Sequence, residues 1–404
     1  MSVGSARAPS GTPATRRGVL GGGAWVLGRI SGIELAIDHS WILIFALITF
    51  SLRTQLAQEH ETWSLLQQWS SALATSLLFF ASIVIHEFGH SLTAQRLGVR
   101  VRSITLFVFG GVAQLESEPK RPRDEIVIAI AGPLASVALG FGFGALASAL
   151  AAGVDPAAEM GSLEAMTRWL SRINFVLVAF NAVPGLPLDG GRVLRGVVWA
   201  LTGSFERATS VAATSGTLVA YALIFLGIAS ALGSGQWVGG LWLVFIGWFL
   251  LSAARSSVGQ LVIERVLSGV RSGDIAESHT ETLISGAETV AALVAETVLR
   301  RGIRTLYVVD AAGRLAGLVT LRELAGVPSA ERPTTRAMEV MVPSGSLAVL
   351  HPEESAWVAM KRMAERGVNQ LPVVVDGRLL GSVTRERLLT VVQAGLTPES
   401  RAGR

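Results

Sequence analysis

Residues 71–92 read SALATSLLFFASIVIHEFGHSL, and the two parts of this stretch decide how the chain folds. Positions 71–85 contain no Asp, Glu, Lys or Arg. Extended to Arg96, the run suffices for a helix across a hydrocarbon core, which takes about 20 mainly apolar residues. The remaining part sets His86, Glu87 and His90 into that same apolar surface. Histidines four apart share one face of a helix, so His86 and His90 can hold one metal ion together. Glu87 beside them is placed to take a proton from water. Zinc suits the pattern, because two imidazoles and a carboxylate make a common catalytic set with a fourth position open. Chance would produce His-Glu-x-x-His only about 0.005 times in a chain with six histidines. Ionisable groups at membrane depth are costly and mark function, so a merely satisfied polar cluster is the weaker reading.

Working outward, the whole composition agrees with a membrane protein. Half of the 404 residues are hydrophobic, only 16% are charged, and mean hydropathy is +0.50; soluble domains carry about 25% charged residues. Further charge-free runs cover 41–52, 126–152, 173–188 and 208–254. They predict six transmembrane helices, near 33–52, 71–96, 125–152, 168–189, 207–232 and 236–254, with Gly233-Ser234-Gly235 turning between the last two. The absence of cysteine excludes a disulfide framework. A net charge of +4 without a concentrated basic tract argues against a nucleic-acid partner. Residues 1–17, rich in Ser, Ala, Pro, Gly and Thr, read as disordered. Arginines crowd the N-terminal tail, the connection after the second span and the segments after the fourth and sixth. The expected location is therefore the cell membrane, multi-pass, with both termini cytoplasmic. Between the second and third spans, Val99 to Gln114 reads as extended, a small β-rich membrane-associated segment. It is either a strand edge open to pairing with an extended peptide or a cytoplasmic hairpin that pairs with none.

A third metal ligand must come from elsewhere. The fourth span ends Asn181-Ala-Val-Pro184-Gly-Leu-Pro187-Leu-Asp189-Gly190-Gly191-Arg192, where two prolines and a glycine pair break the helix. Irregular backbone at membrane depth is tolerated only inside protein or beside a wet cavity. Asp189 then points inward as a carboxylate ligand, or it caps a helix at the cytoplasmic surface.

Taken together, His86-Glu87-Phe88-Gly89-His90 and the Asn181–Gly190 segment resemble the site-2 protease family of intramembrane zinc metalloproteases. The likeness extends to Asp38-His39-Ser40-Trp41, Phe109-Gly110-Gly111 and Ala131-Gly132-Pro133. The resemblance implies one Zn2+ per chain, bound by His86, His90 and Asp189, with Glu87 as general base. It also implies that Asn181 binds substrate or steadies the oxyanion. The implied substrate is a transmembrane protein, such as an anti-sigma factor or a membrane-bound transcription-factor precursor, cleaved in or near its transmembrane segment.

The charged C-terminal third contains an internal repeat. Gly302-Ile-Arg304 through Val-Thr320 recurs as Gly367-Val-Asn through Val-Thr384, offset by 65 residues at the glycines and 64 at the threonines. Each copy reads as helix, strand, glycine turn, strand and helix. The duplication resembles a pair of cystathionine-β-synthase-type (CBS) domains, a cytoplasmic α/β module. The resemblance is thus to the prokaryotic branch that ends in such a pair. It implies regulation of activity, a homodimer through these domains, and ATP or AMP held by Thr320, Glu323 and Thr384. Arg387 stands where a second ribose-binding Asp would be expected. The expected organisation is a disordered tail over 1–24, a transmembrane metalloprotease domain over 25–256 and a linker over 257–266. Two CBS-type domains follow over 267–329 and 330–397, and a tail over 398–404. Two other readings stand beside this one, a CBS-gated transporter or channel and a catalytically silent membrane scaffold. Ionisable residues at depth are concentrated in His86, Glu87, His90 and Asp189, which favours hydrolysis.

Overall fold

A computed structural model describes residues 16–17, 23–152, 160–233, 235–278 and 282–396. The chain forms two compact units that meet at Val258/Gly259. The first unit runs β1 (Arg16–Arg17), β2 (Gly23–Ile30), β3 (Ile33–Asp38), α1 (Trp41–Glu59), α2 (Leu65–Arg96), β4 (Val101–Phe107) and β5 (Gly110–Leu115). It continues with α3 (Pro122–Ala151), α4 (Ser162–Asn181), α5 (Asp189–Thr202), α6 (Phe205–Gly233) and α7 (Trp237–Ser268), the last crossing the boundary. Local signals place the ends of these helices. Ser64 and Gln67 form a capping box at the start of α2. Pro122 opens α3 with Asp124 and Glu125 in its first turn, where acids complement the helix dipole.

Five helices, α1, α2, α3, α6 and α7, are long and apolar enough to cross a membrane. Their outer faces carry large exposed apolar side chains such as Leu66, Phe141, Phe225 and Val238, a surface that suits lipid rather than water. Inner faces are small, as with Ala208, Ala212, Ala213 and Ala220 of α6, which lets helices approach closely.

Six spans were expected, and two of them need correcting. The first does not begin at 33: Ile33–Asp38 is a strand, with Ile33, Glu34, Ala36 and Asp38 buried, and the helix starts at Trp41. The Asp38 carboxylate accepts the Ser40 N–H and hydroxyl at 2.9 and 2.7 Å, turning the chain from strand to helix. The fourth expected span corresponds to α4, which begins at Ser162 and stops at Asn181. Glu164, Arg168 and Arg172 make it more polar than the five apolar helices. Of the expected glycine turn between the last two spans, Ser234 lies outside the described residues.

The extended reading of 99–114 holds, since β4 and β5 form a hairpin there. That hairpin belongs to a five-stranded sheet in the order β1-β2-β3-β4-β5, antiparallel except for β3 on β4, with β5 at one edge. Strand β1 and the start of β2 fall in the stretch read as a tail; residues 1–15 and 18–22 lie outside the described residues.

The second unit contains the two repeats. The first copy comprises α8 (Ser272–Ile275), β6 (Leu283–Ser285), α9 (Val290–Ala292) with a π-helical continuation to Leu299, β7 (Thr305–Val309), β8 (Leu315–Thr320) and α10 (Leu321–Ala325). The second comprises α11 (Ala337–Val340), β9 (Val342–Pro343), α12 (Ala356–Arg366), β10 (Gln370–Val375), β11 (Arg378–Thr384) and α13 (Arg385–Leu396). Two cores form, one around Leu293, Leu306, Val308 and Val319 with Ala337 of the second copy, the other around Leu350, Met363, Val373 and Val383 with Ile275 of the first. The copies also bond to each other: Leu315 N–H donates to Gly377 O at 2.8 Å, and Glu277 pairs with Ser382. Tyr307, 1% exposed, receives a hydrogen bond from Gln370 Nε2 at 3.4 Å. Burial pushes its hydroxyl up from the ordinary tyrosine range, so it stays protonated at neutral pH.

Candidate metal centre

His86 and His90 lie on the buried side of α2, 4% and 5% exposed, with α3 packed behind them. The helices touch at glycines. A Cβ on Gly89 would lie 2.7 Å from Ala131 O, and one on Gly132 would lie 2.2 Å from His90 Nε2. The His90 ring therefore rests directly on the α3 backbone. His90 Nδ1 is 2.7 Å from Ile128 O, and His86 Nδ1 is 2.9 Å from Ser136 Oγ. A carbonyl can only accept, so the His90 proton sits on Nδ1 and the Nε2 lone pair faces the other way.

Asp189 arrives from the broken segment. Helix α4 ends at Asn181, Pro184 and Pro187 lie in the turn that follows, and α5 begins with Asp189. A Cβ on Gly191 would lie 2.2 Å from the Gly185 carbonyl carbon, so only glycine lets the turn close this tightly. Leu186 N–H donates to Ala212 O of α6 at 3.0 Å, and Ser215 Oγ donates to Pro184 O. Helix α5 is in turn fixed to α3: Arg192 and Arg195 reach Glu125 at 3.1 and 2.5 Å, and Glu125 is fully buried. Removing one member of such a buried group leaves an uncompensated charge, at a cost of about 3–5 kcal/mol.

Asp189 Oδ2 is thereby 3.1 Å from His86 Nε2 and 3.2 Å from His90 Nε2, and the two Nε2 atoms are 3.2 Å apart. Among the described residues, these three form the group of His, Asp and Glu side chains able to hold a metal ion. The donor set fits zinc. Tetrahedral ligands at about 2.0–2.1 Å from zinc lie about 3.3 Å from one another, close to the spacing seen. Two lone pairs and a carboxylate aimed at one point repel unless a cation lies among them. The helix-cap alternative for Asp189 is not what forms: Leu188 holds the cap position without a side-chain bond, and the Asp189 carboxylate, in the first turn of α5, is buried against His86 and His90.

Glu87 is half-buried on the same turn of α2, within electrostatic reach of His86, His90, Asp189 and Arg192. Its side chain lies on β5, where a Cβ on Gly111 would come 2.6 Å from Glu87 Cγ. The hairpin is held from two sides. Val108 N–H donates to Ser40 Oγ at 3.3 Å, and Phe109 stacks on Phe249 of α7 at 3.7 Å and 13°. Asn181 is partly buried at the end of α4, its Nδ2 donating to Leu177 O at 3.1 Å. In the second unit, Thr320 and Glu323 bond to each other as the capping box of α10, and Thr384 caps α13 by accepting the Arg387 N–H at 3.1 Å. Ala131-Gly132-Pro133 is conspicuous in the sequence, whereas the contacts that α3 makes through Ile128, Gly132 and Ser136, and the buried Glu125, carry no motif. An acid at the first turn of an apolar helix was the available signal for Glu125.

Five apolar helices, a buried His-His-Asp group and an appended α/β pair define a multi-pass membrane protein with a candidate metal centre. The model of Peptidase family M50 matches residues 74–153 and 144–225, and that of the CBS domain matches 284–329 and 337–394. The chain is 37% identical over 361 residues to the Mycobacterium tuberculosis protein named zinc metalloprotease Rip3, covering 89% of this chain and 90% of that one. It is 30% identical over 371 residues to a protein of Synechocystis sp. also named a zinc metalloprotease, covering 91% and 95%. Among solved structures, the site-2 protease from Methanocaldococcus jannaschii matches at 26% identity with a TM-score of 0.42, covering 58% of this chain and 95% of that one. The chain belongs to Peptidase family M50, as a site-2 protease-type zinc metalloprotease with a CBS pair.

Proposed function

We propose that the chain hydrolyses peptide bonds in or near transmembrane segments of membrane-anchored regulatory proteins, with zinc held by His86, His90 and Asp189. The observation that carries this reading is the convergence of three acceptor atoms at 3.1–3.2 Å among apolar helices. When bound, zinc supplies Lewis acidity, bringing the pKa of a water to about 7 and polarising a carbonyl. Glu87 takes the proton from the attacking water and delivers it to the leaving amine. The Asn181 carboxamide spends one N–H on Leu177 O and keeps a second for the developing oxyanion. The unwound substrate adds as a strand to the edge of β5, which passes Glu87 at Gly111.

The arginine-rich connections support cytoplasmic termini and a cytoplasmic CBS pair. The pair binds ATP or AMP beside Thr320, Glu323 and Thr384, forms the dimer contact, and regulates hydrolysis. Purified protein in detergent is expected to cleave a single-span substrate, to stop when a chelator is added and to resume with zinc. Cleavage that persists through complete metal removal would refute the zinc reading. Titrating full-length protein with AMP or ATP in a calorimeter is expected to release binding heat. Silence at millimolar nucleotide would leave the pair as a docking platform.

A further inference from the structure

The two imidazoles are backed unequally. Backbone alone orients His90, through Ile128 O, and no side-chain substitution can remove that acceptor. His86 depends on a side chain: Ser136 Oγ, fully buried, 50 residues away in sequence and 2.9 Å from Nδ1. Ile128, Gly132 and Ser136 are spaced by four residues, so one stripe of α3 offers a carbonyl, bare backbone and a hydroxyl to one turn of α2.

A serine in an apolar helix ordinarily bonds back to its own preceding turn. Thr75, Ser82 and Ser148 do so, donating to Ser71 O, Leu78 O and Gly144 O. Among the described residues, the side-chain hydrogen bond of Ser136 goes instead to His86 on the neighbouring helix. The bland role for a buried serine, a small residue that lets helices pack, does not require that direction.

We propose that Ser136 is a positioning residue for His86, accepting the Nδ1–H so that the Nε2 lone pair is presented toward Asp189 and His90. This rests on reading His86, His90 and Asp189 as the zinc ligands. Without the hydroxyl, the proton on Nδ1 is buried with no acceptor, or it moves to Nε2 and occupies the lone pair that the metal needs. Outer hydrogen bonds of this kind change metal affinity by about 10–100-fold.

The test is zinc affinity of full-length protein in detergent, measured by competition with a chromophoric chelator. Cobalt-substituted samples give ligand-field spectra, and thermal melts of the metal-free forms check folding. Ser136→Ala is expected to bind zinc about 10–100-fold more weakly and to alter the cobalt spectrum, while Ser136→Thr restores both. Ser82→Ala, which removes a buried hydroxyl from α2 itself, is expected to leave affinity unchanged. Parental affinity in Ser136→Ala would overturn the proposal. So would equal losses in Ser136→Ala and Ser82→Ala, or in Ser136→Ala and a normally melting Ser136→Thr. If the parent protein itself binds no zinc, or His86→Ala binds it as the parent does, the ligand set fails instead.

Discussion

Glu87→Gln is expected to retain zinc and to lose hydrolysis by about 10²–10⁴-fold, the usual worth of a positioned general base. The expectation follows from where Glu87 stands. It shares the turn of the two histidines but lies outside the three atoms that converge, and its methylenes pack on Gly111 of β5. Glutamine fills the same volume and cannot take a proton. Metal content should therefore match the parent while single-turnover cleavage collapses. A variant that loses zinc as well would make Glu87 part of the ligand set. Full activity with zinc present would move the base elsewhere.

The second large effect is expected at a position that bears no reactive atom. Gly132→Ala puts a methyl group 2.2 Å from His90 Nε2 and 2.5 Å from Cε1. The methyl cannot yield, because it sits on the α3 backbone, and the ring cannot retreat without leaving Ile128 O and Asp189. Metal binding and hydrolysis should both fall to background, whereas overpacking itself costs stability only about 1–3 kcal/mol. Gly142→Ala is the matched comparison in the same helix. A Cβ there meets nothing within 4 Å, and alanine favours a helix over glycine by about 1 kcal/mol. Zinc content and cleavage measured on the pair decide the matter: equal behaviour would mean that the close contact at Gly132 does not constrain His90.

Much of this was legible beforehand for physical reasons. His86, Glu87 and His90 stand out because charge in an apolar run is expensive, and Asp189 because two prolines and a glycine pair forbid a continuous helix. The repeat was visible because glycines at 302 and 367 mark equivalent turns in both copies. What escaped notice was encoded in three dimensions. Ile33–Asp38 merges into the apolar start of α1, and its alternation is short enough to pass for the beginning of a span. Ser136 is one hydroxyl in a long apolar stretch, and only the approach of α2 at Gly89 gives it a partner. The carbonyl of Ile128 carries no trace in residue identity at all.

Helix α3 supplies none of the converging atoms, yet Glu125, Ile128, Gly132 and Ser136 lie along one side of it and touch Arg192, His90 and His86 in turn. It acts as the jig on which separately delivered parts are aligned. Natural or laboratory variants that inactivate the enzyme should therefore cluster with helical periodicity on a segment bearing no reactive group. The other sides of the same helix, where Phe141 and Leu134 face outward, should drift freely among apolar residues. A catalogue built around reactive side chains alone would pass over the helix that sets their geometry.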